Sequence, residues 1–300
     1  MLGSTNSARL SSHKLHGTNF ARFNAPKRIH GLVAWYDFKD KSTQWIERDS
    51  YTTQVTSNGN SIGRIQNKAT GGARMGEFIR ATNDAERPTH QGGFGRFDGS
   101  NDSLYGYGTA ATTGKTHGTL SSKFSDVKLD PLNLSMFVVV NADSSSISGD
   151  GYMVCISGTA TNSDSEDITI VLRHESSTND TVYGVSYENE TDQELNSGTN
   201  LPATKSLLAL VCHKGEAKVY LNGTADGDAE LSNSQNRILQ QTSHNLHGFC
   251  IGEIITGALG QVDSGFFDGD IGEVLVYNRS VNDNERTDIT SYLNSKWSIY

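Results

Sequence analysis

Short runs of apolar residues, most of them alternating with polar ones, recur along nearly the whole chain. Examples are GLVAWYDF at 31–38, SMFVVVNAD at 135–143 and KSLLALVCHKG at 205–215. The gaps between the runs are rich in Gly, Asn, Asp and Ser. A two-residue repeat bounded by turn residues predicts β-strands joined by turns. We therefore expect an all-β protein built as a large antiparallel β-sandwich.

The best-defined runs predict individual features of this sandwich. SMFVVVNAD is the most apolar run and predicts a central strand. KGEAKVYLNG predicts a tight hairpin around Gly215. Phe94–Asp98 predicts a strand whose return strand begins at Leu104, after Asp-Gly and Asn-Asp turn residues. The first run predicts a strand with Leu32, Ala34, Tyr36 and Phe38 on one face and Val33, Trp35 and Asp37 on the other.

The clearest helix signal lies near the C-terminus. Apolar residues alternate from Asp270 to Tyr277, which predicts a strand. Asn282 then precedes Glu285 by three positions, the spacing of a capping box at a helix start. The apolar residues that follow recur every four positions and predict one helix face, formed by Ile289, Leu293 and Trp297. We expect this short helix to pack on the sandwich.

Composition agrees with many strands joined by turns, since Gly is frequent (31) and Pro is rare (4). No run approaches the roughly 18 apolar residues of a membrane span, and no apolar signal core begins the chain. We therefore expect a soluble protein with no membrane partner. Three cysteines without CxxC spacing, Cys155, Cys212 and Cys250, favour neither a disulfide framework nor a zinc site. We expect buried free thiols in a reducing cytoplasm.

Charge is distributed unevenly along the chain. Residues 1–30 contain five basic residues and no acid, so residues 31–300 carry −14 of a total formal charge of −9. Residues 1–30 also lack helical or strand periodicity, and we expect an extended basic arm that docks on an acidic partner. Charges without interleaved aromatic residues do not favour nucleic acid as that partner. Residues 31–300 show no linker and predict one domain. The docking residues expected in the arm are Arg9, Lys14, Phe20, Arg22, Phe23, Lys27 and Arg28.

Four segments resemble, in the same order, those of concanavalin-A-like, laminin-G-like jelly-roll domains. They are GLVAWYDF (31–38), FDGSNDSL (97–104), AKVYLNG (217–223) and GDIGEVLVYNRSVNDNERTDITSYLNSKW (269–297). The resemblance implies a jelly-roll sandwich over residues 31–300. Versions that open with GLVAWYD and close with YLNSKW are similar to domains in structural proteins of tailed bacteriophages and in bacterial surface proteins.

This resemblance, together with the basic arm and the lack of a signal peptide, implies a non-enzymatic virion structural protein of a tailed phage, assembled in the host cytoplasm. We expect an outward-displayed capsid decoration or a tail-attached protein, with major capsid or tail proteins as partners. The heptads and repeated β-helical units of a long tail fibre are absent from the sequence. The alternative is a lectin-like, carbohydrate-binding module for host or surface glycans.

A glycoside hydrolase is a third hypothesis, and it depends on three carboxylates. Jelly-roll glucanases of the resembled superfamily carry Glu-x-Asp-x-Glu on one strand, and this chain contains Glu190-Thr-Asp192-Gln-Glu194. The intervening Thr191 and Gln193 are polar, whereas a strand packed on a core needs apolar residues there. The surrounding residues indicate a loop. We therefore interpret the triplet as a chance match and expect no catalytic residues.

Turn residues around positions 98 and 268 offer oxygen ligands for calcium, or polar groups for a glycan. The alternative is that their Asp and Asn side chains only form Asx turns. Apart from a structural calcium here, we expect no cofactor. The candidate residues are Asp98, Asn101, Asp102, Tyr105, Asp268 and Asp270. A second set consists of loop aromatic residues that can stack on sugars or pack in the core: Trp45, Tyr51, Tyr105, Tyr107, Phe266 and Phe267.

Overall fold

The computed structural model describes residues 25–70, 75–106, 129, 133–142, 151–159, 168–175, 180–187, 193–196, 198–214, 216–230, 245–253 and 265–300. In these ranges the chain forms two antiparallel sheets that face each other, preceded by helix α1 (Ala25–Arg28) and followed by helix α2 (Asp283–Trp297). The predicted antiparallel β-sandwich with a short C-terminal helix is confirmed.

Sheet A has eight strands in the described residues, and β8 lies near its middle, between β13 and β17, as predicted. Its strand order is β15-β14-β13-β8-β17-β6-β5, and β1 also pairs with β17. The strands are β1 (Leu32–Asp37), β5 (Thr89–Gln91), β6 (Phe94–Asp98), β8 (Ser135–Ala142), β13 (Lys205–His213), β14 (Glu216–Leu221), β15 (Thr224–Glu230) and β17 (Asp268–Tyr277). The predicted hairpin joins β13 to β14, with His213 opposite Glu216.

Sheet B has nine strands in the same part of the chain, in the order β12-β11-β10-β9-β16-β7-β4-β3-β2. They are β2 (Gln44–Trp45), β3 (Arg64–Gln66), β4 (Phe78–Arg80), β7 (Leu104–Gly106), β9 (Gly151–Thr159), β10 (Ile168–Glu175), β11 (Asp180–Tyr187), β12 (Gln193–Asn196) and β16 (Asn245–Ile251). Single turns of 3₁₀ helix occur at Lys41–Thr43 and Asp84–Glu86.

Apolar side chains from both sheets fill the space between them. Ala34 and Tyr36 of β1, and Phe38 just after it, point into this core and are fully buried. The Tyr36 ring stacks on the Phe249 ring of sheet B, with centroids 5.4 Å apart. Because burial of apolar area contributes about 25 cal/mol per Å², this shared core holds the two sheets face to face.

The start of β1 contains an irregularity that alternation did not predict. The register with β17 shifts between Leu32 and Ala34. Val33 therefore faces the inter-sheet core with Ala34, and Leu32 lies on the outer face of sheet A with Trp35. The predicted faces are right from Ala34 onward and wrong for Leu32 and Val33, because a bulge shifts the alternation by one residue.

The return strand predicted after Phe94–Asp98 does not pair with it. Strand β6 pairs with β5 and β17 in sheet A, whereas β7 pairs with β4 and β16 in sheet B. Residues 99–103 therefore connect the two sheets instead of closing a hairpin. Turn residues indicate where the chain reverses, but they do not specify which sheet the next strand joins.

Helix α2 packs on the outer face of sheet A. The Glu285 N–H donates to the Asn282 side chain at 3.0 Å, and the Asn282 N–H donates to the Glu285 carboxylate at 2.9 Å. The predicted capping box is thus confirmed. The predicted helix face is also confirmed, since Ile289, Leu293 and Trp297 are buried against sheet A.

The N-terminal segment is described from residue 25 onward. Ala25–Arg28 form one helical turn, so the extended conformation predicted for residues 1–30 is wrong here; Pro26 suits a first turn, where an N–H would lack a partner. Ile29 is buried, and the Tyr277 hydroxyl donates to the Pro26 carbonyl at 3.4 Å. The packed structure therefore extends N-terminal to the predicted domain boundary at Gly31.

Most of the predicted docking residues precede this segment. Lys27 and Arg28 lie on α1, and Lys27 Nζ lies 5.5 Å from the centroid of the Trp35 ring. The others, which lie outside the described residues, are Arg9, Lys14, Phe20, Arg22 and Phe23. Among the helices that the structure describes, none is both long and apolar enough to cross a bilayer.

One buried carboxylate, that of Glu273 on β17, joins three distant parts of the chain. It accepts hydrogen bonds from the indole of Trp35 at 2.6 Å and the indole of Trp297 at 2.7 Å. The Tyr292 hydroxyl donates at 2.9 Å and Lys296 Nζ at 2.7 Å. We call these five residues the Glu273 cluster. It fixes β1, β17 and α2 to one another.

The charges of this cluster continue into a second carboxylate. Lys296 Nζ also lies 2.7 Å from Asp37 on β1, and Lys68 Nζ lies 2.7 Å from both Asp37 and Asp40. Burial raises the pKa of Glu273, and the nearby Asp37 raises it further, whereas Lys296 lowers it. The two lysines thus offset the cost of burying acidic groups beneath α2.

Replacing Glu273 by alanine is expected to lower the free energy of unfolding by about 3–5 kcal/mol, because three buried donors lose their acceptor and the partly buried Lys296 loses one of its two carboxylate partners. Urea unfolding at pH 7 measures the change. Glu216→Ala, at an exposed position of β14, is the matched control and should stay within about 0.5 kcal/mol of the wild type. Equal effects of the two substitutions would contradict the assigned role of the cluster.

Candidate functional site

The outer face of sheet B, which points away from the core, carries a continuous row of side chains. Each residue of the row lies directly opposite the next one on the neighbouring strand. At one end the row is aromatic and basic, and at the other it is small and apolar. In strand order its members are Trp45, Arg64, Arg80, Tyr105, Cys250, Cys155 and Val171.

A short loop projects beyond the aromatic end of this row. The Ile46 N–H donates to the Thr53 carbonyl at 2.9 Å, and the Thr53 N–H donates to the Glu47 carboxylate at 2.9 Å. Hydrogen bonds from Thr53 lower the pKa of Glu47, which keeps this acceptor ionised. The loop is closed at its base in this way, and its tip carries Tyr51.

The Tyr51 ring packs on side chains of sheet B. Its ring meets Trp45 edge-on with centroids 4.8 Å apart, and Phe78 edge-on at 6.1 Å. The Arg64 guanidinium lies 4.3 Å from the centroids of both Tyr51 and Phe78. Although these neighbours hold it, Tyr51 remains 53% exposed, whereas Trp45 is 9% exposed. The result is a supported aromatic ring that is open to solvent.

Arginines surround the base of this ring. Arg64 is 3% exposed, and its Nε donates to the Arg48 carbonyl at 2.9 Å. Burial lowers the pKa of Arg64, but a guanidinium remains charged at neutral pH. Beside it, Arg80 is paired with Asp49, whose side chain is 58% exposed. The exposed Tyr51 ring thus lies near a hydrogen-bond acceptor, Asp49, and a cationic donor, Arg80. We call Tyr51, Arg64, Arg80 and Asp49 the Tyr51 site.

The loop at residues 98–102 brings together four of the residues expected to bind calcium or a glycan. One oxygen of Asp98 accepts the N–H groups of Ser100, Asn101 and Asp102 at 2.9, 3.1 and 3.3 Å. Asp102 in turn accepts the N–H of Asp98 at 3.1 Å. Asp268 lies opposite Asp98 on the neighbouring strand. These bonds form the Asx turns considered as the alternative.

The other two residues of that set lie elsewhere. Tyr105 belongs to the row on sheet B and is 5% exposed. Asp270 is paired with Arg96, with an Nη2–Oδ2 distance of 2.8 Å, and accepts a bond from Asn141 at 3.2 Å. In the described ranges, no three His, Cys, Asp or Glu side chains are grouped so as to hold a metal ion. The structural calcium stays a prediction.

The structure separates the aromatic residues that sequence could not distinguish. Phe267 is fully buried and Phe266 partly buried, and Tyr107 lies outside the described residues. Sequence reasoning missed Arg64 and Arg80. Each flanks a single buried isoleucine, Ile65 or Ile79, in a very short strand, so a weak alternation was present; nothing in it showed that the two strands pair.

The acid triplet is only partly described. Glu194 lies on β12, the edge strand of sheet B, where a loop was predicted; that prediction is wrong for Gln193–Asn196. Glu190 and Asp192 lie outside the described residues. A catalytic role for the triplet is therefore not supported by any arrangement of the described residues.

Replacing Asp102 by asparagine should remove a pH dependence of stability. Burial, and then the neighbouring Asp98, raise the pKa of Asp102 to about 7. Between its unfolded value and about pH 7 the folded chain therefore holds a proton that the unfolded chain releases, so stability falls as the pH rises through this window. Asparagine retains an acceptor for the Asp98 N–H and has no proton to lose.

Between pH 5 and pH 8 we expect the wild type to lose roughly 2–3 kcal/mol relative to Asp102→Asn. Chemical unfolding of both proteins at these two pH values measures the difference. Parallel stability profiles for the two proteins would refute this assignment.

Comparison with known proteins places this geometry in a family. The family model described as Concanavalin A-like lectin/glucanases superfamily matches residues 113–285, more than half of the chain. No curated protein sequence matches significantly. The sialidase of Trypanosoma rangeli superposes with a TM-score of 0.51 at 12% identity, over 90% of this chain and 33% of the sialidase. The chain thus spans about a third of the length of that enzyme.

Two smaller solved domains also align. The CBM40 domain of the Ruminococcus gnavus IT-sialidase, bound to α2,3-sialyllactose, has a TM-score of 0.43 at 14% identity, over 62% of this chain and 98% of that domain. Domain 4 of AbnA, a GH43 extracellular arabinanase from Geobacillus stearothermophilus, has a TM-score of 0.44 at 15% identity, over 86% of this chain and 98% of that domain. Identities this low concern the fold alone. With its two facing antiparallel sheets and the match of its family model, this chain belongs to the concanavalin A-like lectin/glucanase superfamily.

Proposed function

We propose that this protein is a non-catalytic carbohydrate-binding domain whose ligand stacks on Tyr51. The observation that supports this function is the half-exposed Tyr51 ring, held in place by Trp45, Phe78 and Arg64. In the described residues only one other large apolar side chain, that of Tyr300, is similarly exposed. An exposed aromatic ring that its neighbours keep in position is a feature of binding surfaces.

The chemistry of a sugar matches this arrangement. A pyranose ring has an apolar face of C–H groups and a rim of hydroxyls, so it can pack on an aromatic ring while its hydroxyls form hydrogen bonds. Asp49 can accept such bonds, and Arg80 can donate them. Because Tyr51 is already fixed by its neighbours, little side-chain entropy is lost when a ligand binds.

The same surroundings favour binding over hydrolysis. Glycoside hydrolysis generally requires two carboxyl groups on either side of the scissile bond, one of them protonated. Beside Tyr51, Asp49 is paired with Arg80, and Glu47 accepts the Thr53 N–H at the base of the loop. The hydrogen bonds from Thr53 lower the pKa of Glu47, which does not suit the protonated acid that hydrolysis needs.

Replacing Tyr51 by alanine should weaken glycan binding at least about tenfold, since the stacking surface is lost. A glycan array with the full chain first identifies a ligand, and calorimetry then measures the dissociation constants. Tyr51→Phe keeps the ring and should bind within about threefold of the wild type. Melting temperatures verify that each variant is folded.

Tyr300→Ala is the matched control, because Tyr300 is equally exposed (58%) but follows α2 on the opposite side of the sandwich. It should bind as the wild type does. If no glycan on the array binds, the proposed function is wrong. If a glycan binds and both tyrosine-to-alanine variants retain it, the function stands and the assignment of the Tyr51 site is wrong.

A virion structural role is the second candidate function, and the packing of residues 25–30 favours it. Arg279 Nε donates to the His30 carbonyl at 2.8 Å, and Ile29 and Pro26 contact the region of Tyr277. These contacts fix residues 26–30 on the domain. Residues 1–24 contain three basic residues and no acid, which suits a tether to acidic capsid or tail proteins.

Removing residues 1–24 should leave the melting temperature unchanged, because this deletion retains the packed segment at residues 25–30. It should abolish incorporation into virus particles, because the proposed tether is lost. Removing residues 1–30 should in addition lower the melting temperature, because Ile29 and the bond to His30 are lost. Protein gels of purified particles and thermal unfolding measure the two effects. Normal incorporation of the 25–300 chain would exclude the tether.

A further inference from the structure

Two of the three cysteines lie directly opposite each other on neighbouring strands. From the sequence alone we expected buried free thiols. Cys155 on β9 lies directly opposite Cys250 on β16. Both are fully buried and belong to one small cluster on the outer face of sheet B, together with Tyr105 and Val171. No disulfide joins them in the structure, and the Cys250 thiol donates to the Ile251 carbonyl at 3.7 Å.

The spacing of such a pair is compatible with a covalent bond. Directly opposed residues of antiparallel strands have Cα atoms about 4.5–5.5 Å apart, and disulfides span Cα distances of about 4.4–6.8 Å. Opposed side chains also leave the sheet on the same face, so the two sulfur atoms point in the same direction. A bond between them therefore requires no change of strand register.

Cys212 is excluded from this pair by the architecture. It lies on β13 in sheet A and points into the core between the sheets. Cys155 and Cys250 lie on the outer face of sheet B, so the backbone of that sheet separates them from Cys212. Two of the three cysteines thus form an opposed pair on sheet B, and the third lies on sheet A.

We propose that Cys155 and Cys250 form a redox-sensitive disulfide that crosslinks the centre of sheet B. The oxidant is a small disulfide such as oxidised glutathione, which reaches the thiols before the sheet closes. One cysteine thiolate attacks it to give a mixed disulfide and one glutathione; the other thiolate then attacks the protein-bound sulfur and releases a second glutathione. Two protons and two electrons leave the cysteines, and the electrons reduce the oxidant.

The crosslink constrains an unfolded chain more strongly the longer the loop it closes. The two cysteines are 95 positions apart. A disulfide that closes a loop of this length lowers the conformational entropy of the unfolded chain by a large amount. For a domain of this size the oxidised form should melt roughly 5–10 °C above the reduced form. Stability would then depend on whether the protein is in a reducing or an oxidising environment.

Trypsin separates the three cysteines, which makes the test direct. Cleavage after Lys and Arg places Cys155 in residues 129–173, Cys250 in residues 238–279 and Cys212 in residues 206–214. The full chain is unfolded and reduced, then refolded with reduced and oxidised glutathione or with dithiothreitol. Digestion without reduction and mass spectrometry should show the 129–173 and 238–279 peptides joined after the first treatment only.

Two variants sharpen the outcome. Cys212→Ser should retain both the crosslink and the shift in melting temperature, whereas Cys155→Ala should lose both. Cys250→Ala should behave as Cys155→Ala does, which guards against a misfolded variant. Absence of the joined peptides after refolding with oxidised glutathione would overturn the proposal, and so would crosslinks in which the 206–214 peptide occurs as often as the other two.

Discussion

Four donors, one from β1 and three from α2, converge on one buried carboxylate, that of Glu273 on β17. A buried charge without partners costs several kcal/mol, so packings that place Trp35, Trp297 or Lys296 elsewhere are strongly disfavoured. The cluster therefore selects one position for the first strand, the last strand and the closing helix. Apolar burial supplies most of the stability of such a sandwich, but it would tolerate other registers; the polar cluster does not.

Much of this fold follows from local pattern. Alternation locates the long strands, and Asn282 with Glu285 defines the start of the closing helix, since capping depends on residues three positions apart. The bulge after Leu32 and the passage of residues 99–103 between sheets were not predictable, because both depend on partners far away in sequence. The role of Glu273 was missed for the same reason: its donors lie up to 238 positions away.

The candidate site was predictable only in part. Tyr51 appears in a set of six loop aromatic residues, and composition cannot show which of them will remain exposed. Tyr51 stays 53% exposed because its loop places the ring on top of Trp45, Phe78 and Arg64 instead of between the sheets. The acidic turn at 98–102 is a second case: one oxygen of Asp98 and one of Asp102 accept backbone N–H groups, which the residue types alone do not show. Residue types indicate candidate chemistry, and only the hydrogen bonds show whether it is free to act.

The position of the C-terminal helix determines how the protein is oriented when it is attached to a surface. Helix α2 covers the outer face of sheet A, so the C-terminus lies on that face. Tyr51 stands beyond the outer face of sheet B, and the two sheets, about 10 Å apart, lie between. A bead, a sensor chip or a larger assembly attached through the C-terminus would therefore bind the molecule on the side opposite Tyr51. The aromatic ring would then face the solution in every copy, with the same orientation.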